Sequence, residues 1–510
     1  MLGAMQDFEL RVTGLLDHAA KLHGMREVVT RWANGSVGRT NWAGIRHDAL
    51  RLAQALWRLG LEPEDRVATL AMNHGRHLVT WFGVPGAGCI LHTINPRLFD
   101  DQLDFIVNHA GDRVLIYDVV FRPIVERMKP RWKSVERYIC FDDGEFEEWI
   151  DAEDGKAQWA AGSERAPCML CYTSGTTGDP KGVLFEHRSI ILHTMMEIAP
   201  AALCLEARSS VLPVVPMFHA NNWGFPWSCA MVGAKLVYSA VNDADTLCAL
   251  IRDEGITHVA GVPTVWLAMF QHIETTGQEL PFITHALSGG SAVPRAVVER
   301  LMRHGVRLMQ AWGMTETSPI ATLTDEPAGW DTMDFDMRVS LKASQGRPPY
   351  GCEVRCVDLD DPARELQWDG VTSGALQVRG PWVVRRYFKA EADAAGTDGW
   401  FDTGDVAVIA PDGTLRLTDR TKDVIKSGGE WISSVALENA AVGHPAVAEA
   451  AAIGISHAKW DERPVLFVVR KPGAAVDGED ILAFLTGKVA KWWLPDAIEF
   501  VDDLPHTARA

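Results

Sequence analysis

The 510-residue chain is short of positive charge and of long apolar runs. Its 49 Lys and Arg residues stand against 67 Asp and Glu residues, so the formal net charge is −18 at pH 7. Nucleic acids and anionic membrane surfaces bind proteins through basic patches, so this surplus of carboxylates argues against both as general partners. No stretch of about 18 apolar residues runs without a charge, a proline or a loop signal, so the sequence predicts no integral membrane segment. We expect an acidic, multidomain cytoplasmic protein.

The cysteines give no sign of a disulfide framework. There are nine of them, an odd number scattered along the chain, which is typical of reduced thiols in the cytoplasm. The N-terminal sequence MLGAMQDFELRV carries acidic residues and predicts no secretory signal. Cys168 and Cys171 form a C-x-x-C pair in a strand-like segment, where residues three apart point to opposite faces. No second pair follows at zinc-site spacing, so we favour buried core thiols over a metal or redox pair.

Hydropathy patterning predicts an α/β fold over most of the chain. Between residues 36 and 344, apolar β-branched runs such as 66–73, 235–241 and 258–263 alternate with helical stretches such as 48–61. Strands separated by segments of helix length indicate βαβ units and mostly parallel sheets.

The pattern changes in the last third of the chain. Residues 345–419 carry short strands split by turns, which predicts a β-rich subdomain. A compact α/β stretch with a helix signal at 433–445 follows. We therefore predict a large N-terminal domain, residues 1–420, and a small mobile C-terminal domain, residues 421–510.

The strongest motif is YTSGTTGDPKGV, residues 172–183. Its glycines allow tight turns, its hydroxyl groups offer donors, and Lys181 adds a positive charge, which together suit a nest for phosphate oxygens. It is not a Walker A loop, because Lys181 is followed by Gly182. We expect a strand to enter the loop and a helix to leave it, which argues against a solvated linker. The predicted phosphate-binding residues are Thr173, Ser174, Gly175, Thr176, Thr177 and Gly178.

This segment resembles the signature loop of the adenylate-forming superfamily, which includes acyl-CoA synthetases, firefly luciferase and peptide-synthetase adenylation domains. Five more segments match family motifs in the family order: PMFHANNWG (216–224), SGGSAVP (288–294), QAWGMTETSP (310–319), WFDTGDVA (400–407) and DRTKDVIKSGGEWIS (419–433). A narrower resemblance, to fatty acyl-CoA synthetases and methylmercaptopropionate-CoA ligases, is carried by HTINPRL (92–98), QGRPPYG (345–351), KSGGEWISSV (426–435) and KWDERP (459–464).

The resemblance implies a ligase that works in two half-reactions. A carboxylate first attacks the α-phosphate of ATP and gives acyl-AMP and pyrophosphate; the thiolate of coenzyme A then attacks the acyl-AMP and expels AMP. Such transfer depends mainly on positioning and charge neutralisation. By resemblance, the catalytic residues are Lys181, Thr315, Glu316 and His219, and Mg²⁺ is held by Thr176 and Glu316.

The resemblance also assigns the binding sites. AMP is expected on Gly289, Gly290, Ser291, Trp312 and Gly313, with Asp405 on the ribose hydroxyls and Arg420 on the ribose or a phosphate. The acyl pocket is expected to be lined by His219, Trp223, Gly224, Val262, Pro263 and Met314. None of these is Arg or Lys, which favours an apolar tail over a second acid group. Lys422 matches the family hinge, and the coenzyme A tunnel is expected at Ser427, Gly428, Gly429, Glu430 and Trp431.

One family motif is incomplete. The family ends in P-x-T-x-x-G-K, whose Lys bridges the acyl carboxylate and the α-phosphate; here Pro505 and Thr507 match, but Ala510 stands in the place of the Gly. Either the sequence is truncated, or the chain adenylates poorly; in the second case we expect the loss of the Lys to slow the adenylation step strongly and the thioester step less.

Several functions remain open at this stage. Medium- or long-chain fatty acids are the leading substrates, and a small thioether or branched acid such as 3-methylmercaptopropionate is the alternative. Two further hypotheses are a luciferase-like oxygenase that acts on an acyl adenylate, and an adenylation-impaired protein that binds an acyl group or a nucleotide. A homodimer is expected by resemblance alone.

Overall fold

A computed structural model describes residues 3–173, 179–427 and 430–504, and of Glu430 only the backbone. The chain divides into two compact units. The first comprises Met1–Glu353 and Arg379–Gly399, and the second comprises Val354–Val378 and Trp400–Ala510. The β-rich segment thus groups mostly with the C-terminal residues. The domain boundary at 420–421 and the hinge at Lys422 stay predictions.

The first unit is an α/β structure, as predicted. Its strands are β1 (Glu27–Arg31), β2 (Val37–Asn41), β3 (Arg66–Leu70), β4 (Ile90–Thr93), β5 (Asp112–Tyr117), β6 (Arg137–Cys140), β7 (Pro167–Tyr172), β8 (Gly182–Glu186), β9 (Ser210–Pro213), β10 (Lys235–Ser239), β11 (His258–Ala260), β12 (His285–Ser288), β13 (Arg307–Gly313) and β14 (Ile320–Leu323). Its helices are α1 (Val12–His23), α2 (Trp42–Arg58), α3 (Gly75–Gly86), α4 (Asp100–Ala110), α5 (Arg122–Met128), α6 (Glu145–Asp151), α7 (His187–Glu197), α8 (Phe225–Val232), α9 (Ala244–Asp253), α10 (Pro263–Thr276), α11 (Arg295–Arg303) and α12 (Phe335–Lys342).

These strands form two sheets. The larger runs in the order β14-β13-β12-β11-β9-β10-β1-β2, and the smaller in the order β6-β5-β3-β4-β7-β8. Pairs inside each sheet are parallel, while β14, β2 and β8 pair antiparallel at the edges. The prediction of mostly parallel sheets is confirmed. The expected helix near 48–61 is α2, which begins earlier because Asn41 caps it by accepting a 2.9 Å bond from the backbone N–H of Gly44.

The exit from the signature loop differs from the prediction. Residues Gly182–Glu186 form β8, which pairs antiparallel with β7, and the helix α7 begins only at His187. Val183 and Phe185 are buried in this pairing. The expected helical exit was therefore wrong. The three consecutive apolar residues at 183–185 fit a buried strand as well as a helix turn, so the pattern alone does not separate the two.

Aromatic side chains join helices from the two sheets of the first unit. The ring of Trp227 on α8 lies 5.3 Å from that of Trp81 and 5.0 Å from that of Phe82, both on α3. All three side chains are buried. Cys168 and Cys171 lie buried in β7, and burial raises the pKa of Cys171 to about 11, which confirms the prediction of core thiols.

The second unit contains two more sheets. The four-stranded sheet runs in the order β15 (Glu353–Val357), β16 (Gly374–Arg379), β17 (Phe401–Ile409) and β18 (Leu415–Arg420). The five-stranded sheet consists of β19 (Ile425–Ser427), β20 (Glu430–Ile432), β21 (Val447–His457), β22 (Asp461–Arg470) and β23 (Ala497–Val501), with helices α13 (Ser434–Val442) and α14 (Gly478–Leu485). Its core includes Ile425, Leu437, Leu466 and Ile481. In the part of the chain described here, no helix is both long and apolar enough to cross a bilayer.

Candidate active site

The segments that follow four strands of the larger sheet meet at one edge. Strands β9, β11, β12 and β13 are parallel neighbours, so the chain leaves all of them at their shared carboxyl edge. The motif PMFHANNWG follows β9, Val262 follows β11, SGGSAVP begins at the end of β12, and WGMTE begins at the end of β13. Three motifs and Val262, separated in sequence, are therefore neighbours in space.

Close packing at this edge depends on the glycines of SGGSAVP. A Cβ at Gly289 would lie 2.9 Å from the carbonyl oxygen of Ala311 and 3.5 Å from the ring of Trp223. A Cβ at Gly290, whose φ is +81°, would lie 3.4 Å from Cγ1 of Val262. The structure thus brings together residues expected at the adenine site and at the acyl pocket. Trp312 is buried at the end of β13, while Ser291 is exposed at the rim.

Glu316 is buried in a 3₁₀ turn, Thr315–Thr317, with 6% of its surface exposed. Its Oε1 accepts a 2.8 Å hydrogen bond from the Oη of Tyr387, and its backbone carbonyl accepts a 2.8 Å bond from the N–H of Val384. Burial and the neighbouring carboxylate raise the pKa of Tyr387, so the phenol stays protonated and donates a hydrogen bond to Glu316. Glu316 is therefore a fixed carboxylate and not an exposed helix cap.

Lys181 lies over the ring of the same tyrosine. Its Nζ is 5.0 Å from the ring centroid of Tyr387, in cation–π geometry. The backbone N–H of Thr173 donates a 2.9 Å bond to the carbonyl of Lys181, which closes the base of the signature loop. The loop residues Ser174, Gly175, Thr176, Thr177 and Gly178 lie outside the described part of the chain.

Tyr387 was missed by the sequence analysis. It lies in RRYFKA, residues 385–390, which has no distinctive spacing. The one feature of the sequence that could have drawn attention to Tyr387 is the rarity of tyrosine, with six in the whole chain. The N–H of Phe388 donates a 2.8 Å bond to the carbonyl of Gly182, so the segment is joined to the loop by its backbone as well.

The segment that carries His219 and Trp223 has an unusual backbone. The φ angles of Ala220, Asn221, Asn222 and Trp223 are +35°, +57°, +48° and +51°, and Gly224 follows at +84°. Each left-handed residue other than glycine costs roughly 1–2 kcal/mol. Such strain persists only where the surroundings hold it, and it clusters at functional sites. His219 is half-buried at the start of this turn and accepts a 2.8 Å backbone bond from Asn222.

A buried asparagine holds the start of the same segment. Asn73, which follows β3 of the smaller sheet, donates to the carbonyls of Pro213 and Val215 at 3.2 and 2.8 Å and accepts from the N–H of Met217 at 2.7 Å. These bonds attach the segment before His219 to the smaller sheet of the unit. The left-handed turn thus has a rigid base.

In the second unit, Asp405 and Arg420 are cross-strand partners on β17 and β18. Nε of Arg420 lies 3.8 Å from Oδ1 of Asp405. Ser427 and Trp431 lie on the β19–β20 hairpin, where Nζ of Lys426 stands 5.0 Å from the ring of Trp431. Lys422 is exposed. Gly428, Gly429, the side chain of Glu430 and residues 505–510 lie outside the described part.

Comparison with known proteins agrees with this arrangement. A family model described as AMP-binding enzyme matches residues 16–388, and one described as AMP-binding enzyme C-terminal domain matches residues 436–510. The chain is 44% identical over 522 aligned residues to the 3-methylmercaptopropionyl-CoA ligase of Ruegeria pomeroyi, covering 100% of this chain and 96% of the relative. It is 42% identical to the medium-chain-fatty-acid–CoA ligase of Ectopseudomonas oleovorans, covering 99% and 95%. In fold it is similar to the anthranilate CoA ligase AuaEII in complex with anthranoyl-AMP, with a TM-score of 0.85 at 23% identity, covering 99% and 96%.

Proposed function

The chain belongs to the AMP-binding enzyme family, and from that premise we propose that it joins a monocarboxylic acid to coenzyme A at the expense of ATP. Full-length relatives more than 40% identical are acyl-CoA ligases, and this chain is an AMP-forming ligase of that class. In the first step the acid and ATP give acyl-AMP and pyrophosphate. In the second, coenzyme A displaces AMP, and the acyl thioester and a proton are formed.

The observation that carries the proposal is the pairing of Glu316 and Lys181 on Tyr387. A buried carboxylate and an ammonium group contact the same aromatic side chain, and Lys181 belongs to the motif that resembles a phosphate nest. Lys181 would neutralise the charge of the β- and γ-phosphates, and Thr315, next to Glu316, would donate to the α-phosphate. Preorganised charges of this kind stabilise a phosphoryl-transfer transition state without reorganisation.

Glu316 fits a role as a magnesium ligand. Among the described residues no three His, Cys, Asp or Glu side chains cluster as in a closed protein metal site. Mg²⁺ at nucleotide sites is usually held by one or two carboxylates, substrate phosphates and water, so a single buried carboxylate suits it. Thr176 would add its hydroxyl group. When bound, Mg²⁺ neutralises phosphate charge.

The remaining sites follow the family assignment. Gly289, Gly290 and Trp312 would border the adenine, and Asp405 would accept from the ribose hydroxyls. His219 and Trp223 would stand at the entrance of the acyl pocket. Lys422 would be the hinge between the two half-reactions, and Trp431 would border the coenzyme A tunnel.

Two classes of acid are candidates. Medium- or long-chain fatty acids and a small thioether acid share an apolar tail, and relatives of 42% and 44% identity carry these two activities in their names. The motifs of the narrower resemblance are shared by fatty acyl-CoA synthetases and methylmercaptopropionate-CoA ligases. These motifs therefore do not distinguish the two classes of acid.

The test uses the full chain with ATP, Mg²⁺, coenzyme A and acids from propionic to palmitic, 3-methylmercaptopropionic acid included. Acyl-CoA is identified by mass and pyrophosphate release is followed in parallel. Chemically made acyl adenylates are supplied in a second set, so that thioester formation is measured without adenylation. Thioester formation in either set supports the ligase. No thioester from any acid or adenylate would overturn it.

A further inference from the structure

The motif HTINPRL and the last turn of α4 have no part in the proposed mechanism, yet they enclose Tyr172, the residue at which β7 enters the signature loop. His92 of that motif forms a fully buried pair with Asp112, with 2.8 Å between Nδ1 and Oδ2. The ring of His92 lies 5.1 Å from that of Tyr172. Nδ1 of His109, on the last turn of α4, lies 2.7 Å from the hydroxyl oxygen of the same tyrosine. Tyr172 is thus held both by its ring and by its hydroxyl group.

The hydrogen bond between Tyr172 and His109 joins two uncharged groups. Burial raises the pKa of Tyr172, so its phenol stays protonated. Burial, followed by the charge of Lys389, lowers the pKa of His109, so its imidazole is neutral at pH 7. The phenol therefore donates and Nδ1 of the imidazole accepts. Removal of this acceptor would leave the hydroxyl group of Tyr172 without the partner that fixes it.

Tyr172 belongs to the stem of the signature loop. It faces Gly182 across the antiparallel pair of β7 and β8, and these two residues flank the loop in the chain. A Cβ at Gly182 would lie 3.2 Å from Cζ of Tyr172 and 3.1 Å from Cβ of Phe388, so both aromatic residues pack on this glycine. Lys181, the residue before Gly182, carries the ammonium group that lies over the ring of Tyr387. The position of Tyr172 therefore fixes the piece of backbone from which the Lys181 side chain extends.

His109 also contacts the segment 385–390, which carries the tyrosine between Lys181 and the buried carboxylate. The carbonyl oxygen of His109 accepts a 2.6 Å hydrogen bond from Nζ of Lys389. Its ring lies 5.6 Å from that of Phe388 in edge-to-face geometry. The end of α4 is itself anchored, because Arg66 donates to the two carbonyls that follow His109, at 2.7 and 3.0 Å. One anchored residue thus contacts both the loop stem and the segment 385–390.

We propose that His109 is a positioning residue for the phosphates of ATP: through its bond to Tyr172 it holds the loop stem against the segment 385–390, and so orients Lys181 before ATP binds. The inference rests on the proposed function, which assigns the β- and γ-phosphates to Lys181. Ordering flexible groups on binding reduces affinity, and a site that is ordered beforehand avoids that loss. Without the bond, ATP should therefore bind more weakly, whereas AMP, which has no β- or γ-phosphate, should be little affected.

The test compares two nucleotides that differ in the phosphates assigned to the loop. The full chain is titrated by calorimetry, in the presence of Mg²⁺, with AMP and with α,β-methylene-ATP, an analogue that cannot release pyrophosphate. The ratio of the two dissociation constants cancels any loss that affects both nucleotides, so a variant that is merely less stable leaves the ratio unchanged. Thioester formation from preformed acyl adenylates is measured in parallel on the same variants.

Four variants separate positioning from folding. His109→Leu removes the acceptor, His109→Asn keeps an acceptor close to the position of Nδ1, and Tyr172→Phe removes the donor. His285→Leu is the matched control. His285 is half-buried like His109, and its Nδ1 lies 2.8 Å from the hydroxyl oxygen of Thr284, but it stands at the start of β12, at the edge of the larger sheet opposite to the motifs.

We expect His109→Leu and Tyr172→Phe each to raise the Kd of the ATP analogue, relative to that of AMP, by about threefold to tenfold, which corresponds to one neutral hydrogen bond. The double variant should lose no more than either single variant, because both remove the same bond. His109→Asn should restore most of the ratio, and His285→Leu should leave it unchanged.

The inference and the proposed function can fail separately. A ratio that His109→Leu leaves unchanged, or that His285→Leu shifts as much, would overturn the inference alone. A shifted ratio in a chain that forms no thioester from any adenylate would support the inference and count against the proposed ligase. A wild-type chain that binds neither nucleotide would overturn both.

Discussion

The phenol of Tyr387 donates a 2.8 Å hydrogen bond to the carboxylate of Glu316, and the ammonium group of Lys181 lies 5.0 Å from the centre of the same ring. One side chain thus contacts the anion and the cation that the proposed mechanism needs. The orientation of Tyr387 is held by one backbone hydrogen bond on each side of it in the chain, from Val384 to Glu316 and from Phe388 to Gly182. The relative position of the two charges is therefore set before any substrate binds.

Replacing Tyr387 by Phe should impair adenylation selectively. The change removes the donor to Glu316 and keeps the ring below Lys181. Hydrogen bonds to charged groups contribute about 1.5–3 kcal/mol, so we expect pyrophosphate release to fall about tenfold or more and to require more Mg²⁺. Initial rates over a Mg²⁺ titration measure this. Thioester formation from a preformed acyl adenylate is the internal control; an equal loss there would mean that Tyr387 supports the fold rather than Glu316.

Replacing Lys181 by Ala should weaken ATP binding. The side chain of Lys181 is exposed and belongs to the motif expected to hold the phosphates, so its loss should remove one charge–charge attraction to ATP. We expect the Kd for ATP to rise about tenfold at low salt and the difference to shrink as salt screens the charge. Calorimetry at two ionic strengths tests this. Lys21→Ala on α1, also exposed, removes the same charge away from the loop and should leave the Kd unchanged.

Sequence alone predicted the α/β fold better than the local structure of single segments. The alternation of strands and helices is enough to place Val262, Gly290 and Trp223 at one carboxyl edge, because parallel neighbours release the chain on the same side. The helical exit after Lys181 was wrong, since the three consecutive apolar residues Val183, Leu184 and Phe185 carry no period long enough to separate strand from helix.

Features that depend on tertiary contacts could not be predicted. Tyr387 acquires its role from a hydrogen bond to Glu316, 71 residues earlier in the chain. Glu197 looks like a solvated helix end in the sequence, yet α8 covers it and Ser228 bonds it. The left-handed turn before Gly224 contains Asn221 and Asn222, a residue type that tolerates this backbone, but such residues normally adopt it singly, so four in succession could not be predicted.

Gly224→Ala should destabilise the protein more than Gly305→Ala. Both glycines have positive φ, +84° and +74°, so both variants bear the cost of a left-handed alanine, roughly 1–2 kcal/mol. A Cβ at Gly305 meets nothing within 4 Å, whereas one at Gly224 overlaps the carboxyl group of Glu197. We expect an additional loss of about 1–3 kcal/mol from overpacking at Gly224. Urea unfolding measures the difference; equal losses would mean that Glu197 moves aside freely.

Acid should destabilise the fold partly through His258. Its ring stacks on that of His285 with centroids 4.3 Å apart, and burial, followed by the charge of His285, lowers the pKa of His258 to about 3. In the unfolded chain the imidazole of His258 takes up a proton near pH 6.5, whereas in the folded chain it does so only near pH 3. The free energy of unfolding therefore has its full value, with respect to His258, above about pH 6.5 and decreases as the pH falls toward 3. One such group changes the free energy of unfolding by at most about 1.4 kcal/mol per pH unit. His258→Gln should flatten this slope in urea unfolding between about pH 6.5 and 4; an unchanged slope would assign the effect to other groups.

A proline at Lys422 should separate the two half-reactions. If Lys422 is the hinge, its φ and ψ must change between adenylation and thioester formation, and proline fixes φ near −65° and restricts the residue before it. Lys422 is exposed and follows β18, whose last residue, Arg420, pairs with Asp405, so the substitution alters a loop rather than a core. We expect Lys422→Pro to slow one half-reaction at least tenfold more than the other, because the chain is held nearer to one conformation.

Lys422→Ala removes the same side chain and leaves the backbone free, so it should affect both steps equally. Pyrophosphate release and thioester formation from a preformed adenylate, measured on both variants, give the comparison. Parallel losses in Lys422→Pro and Lys422→Ala would place the hinge elsewhere.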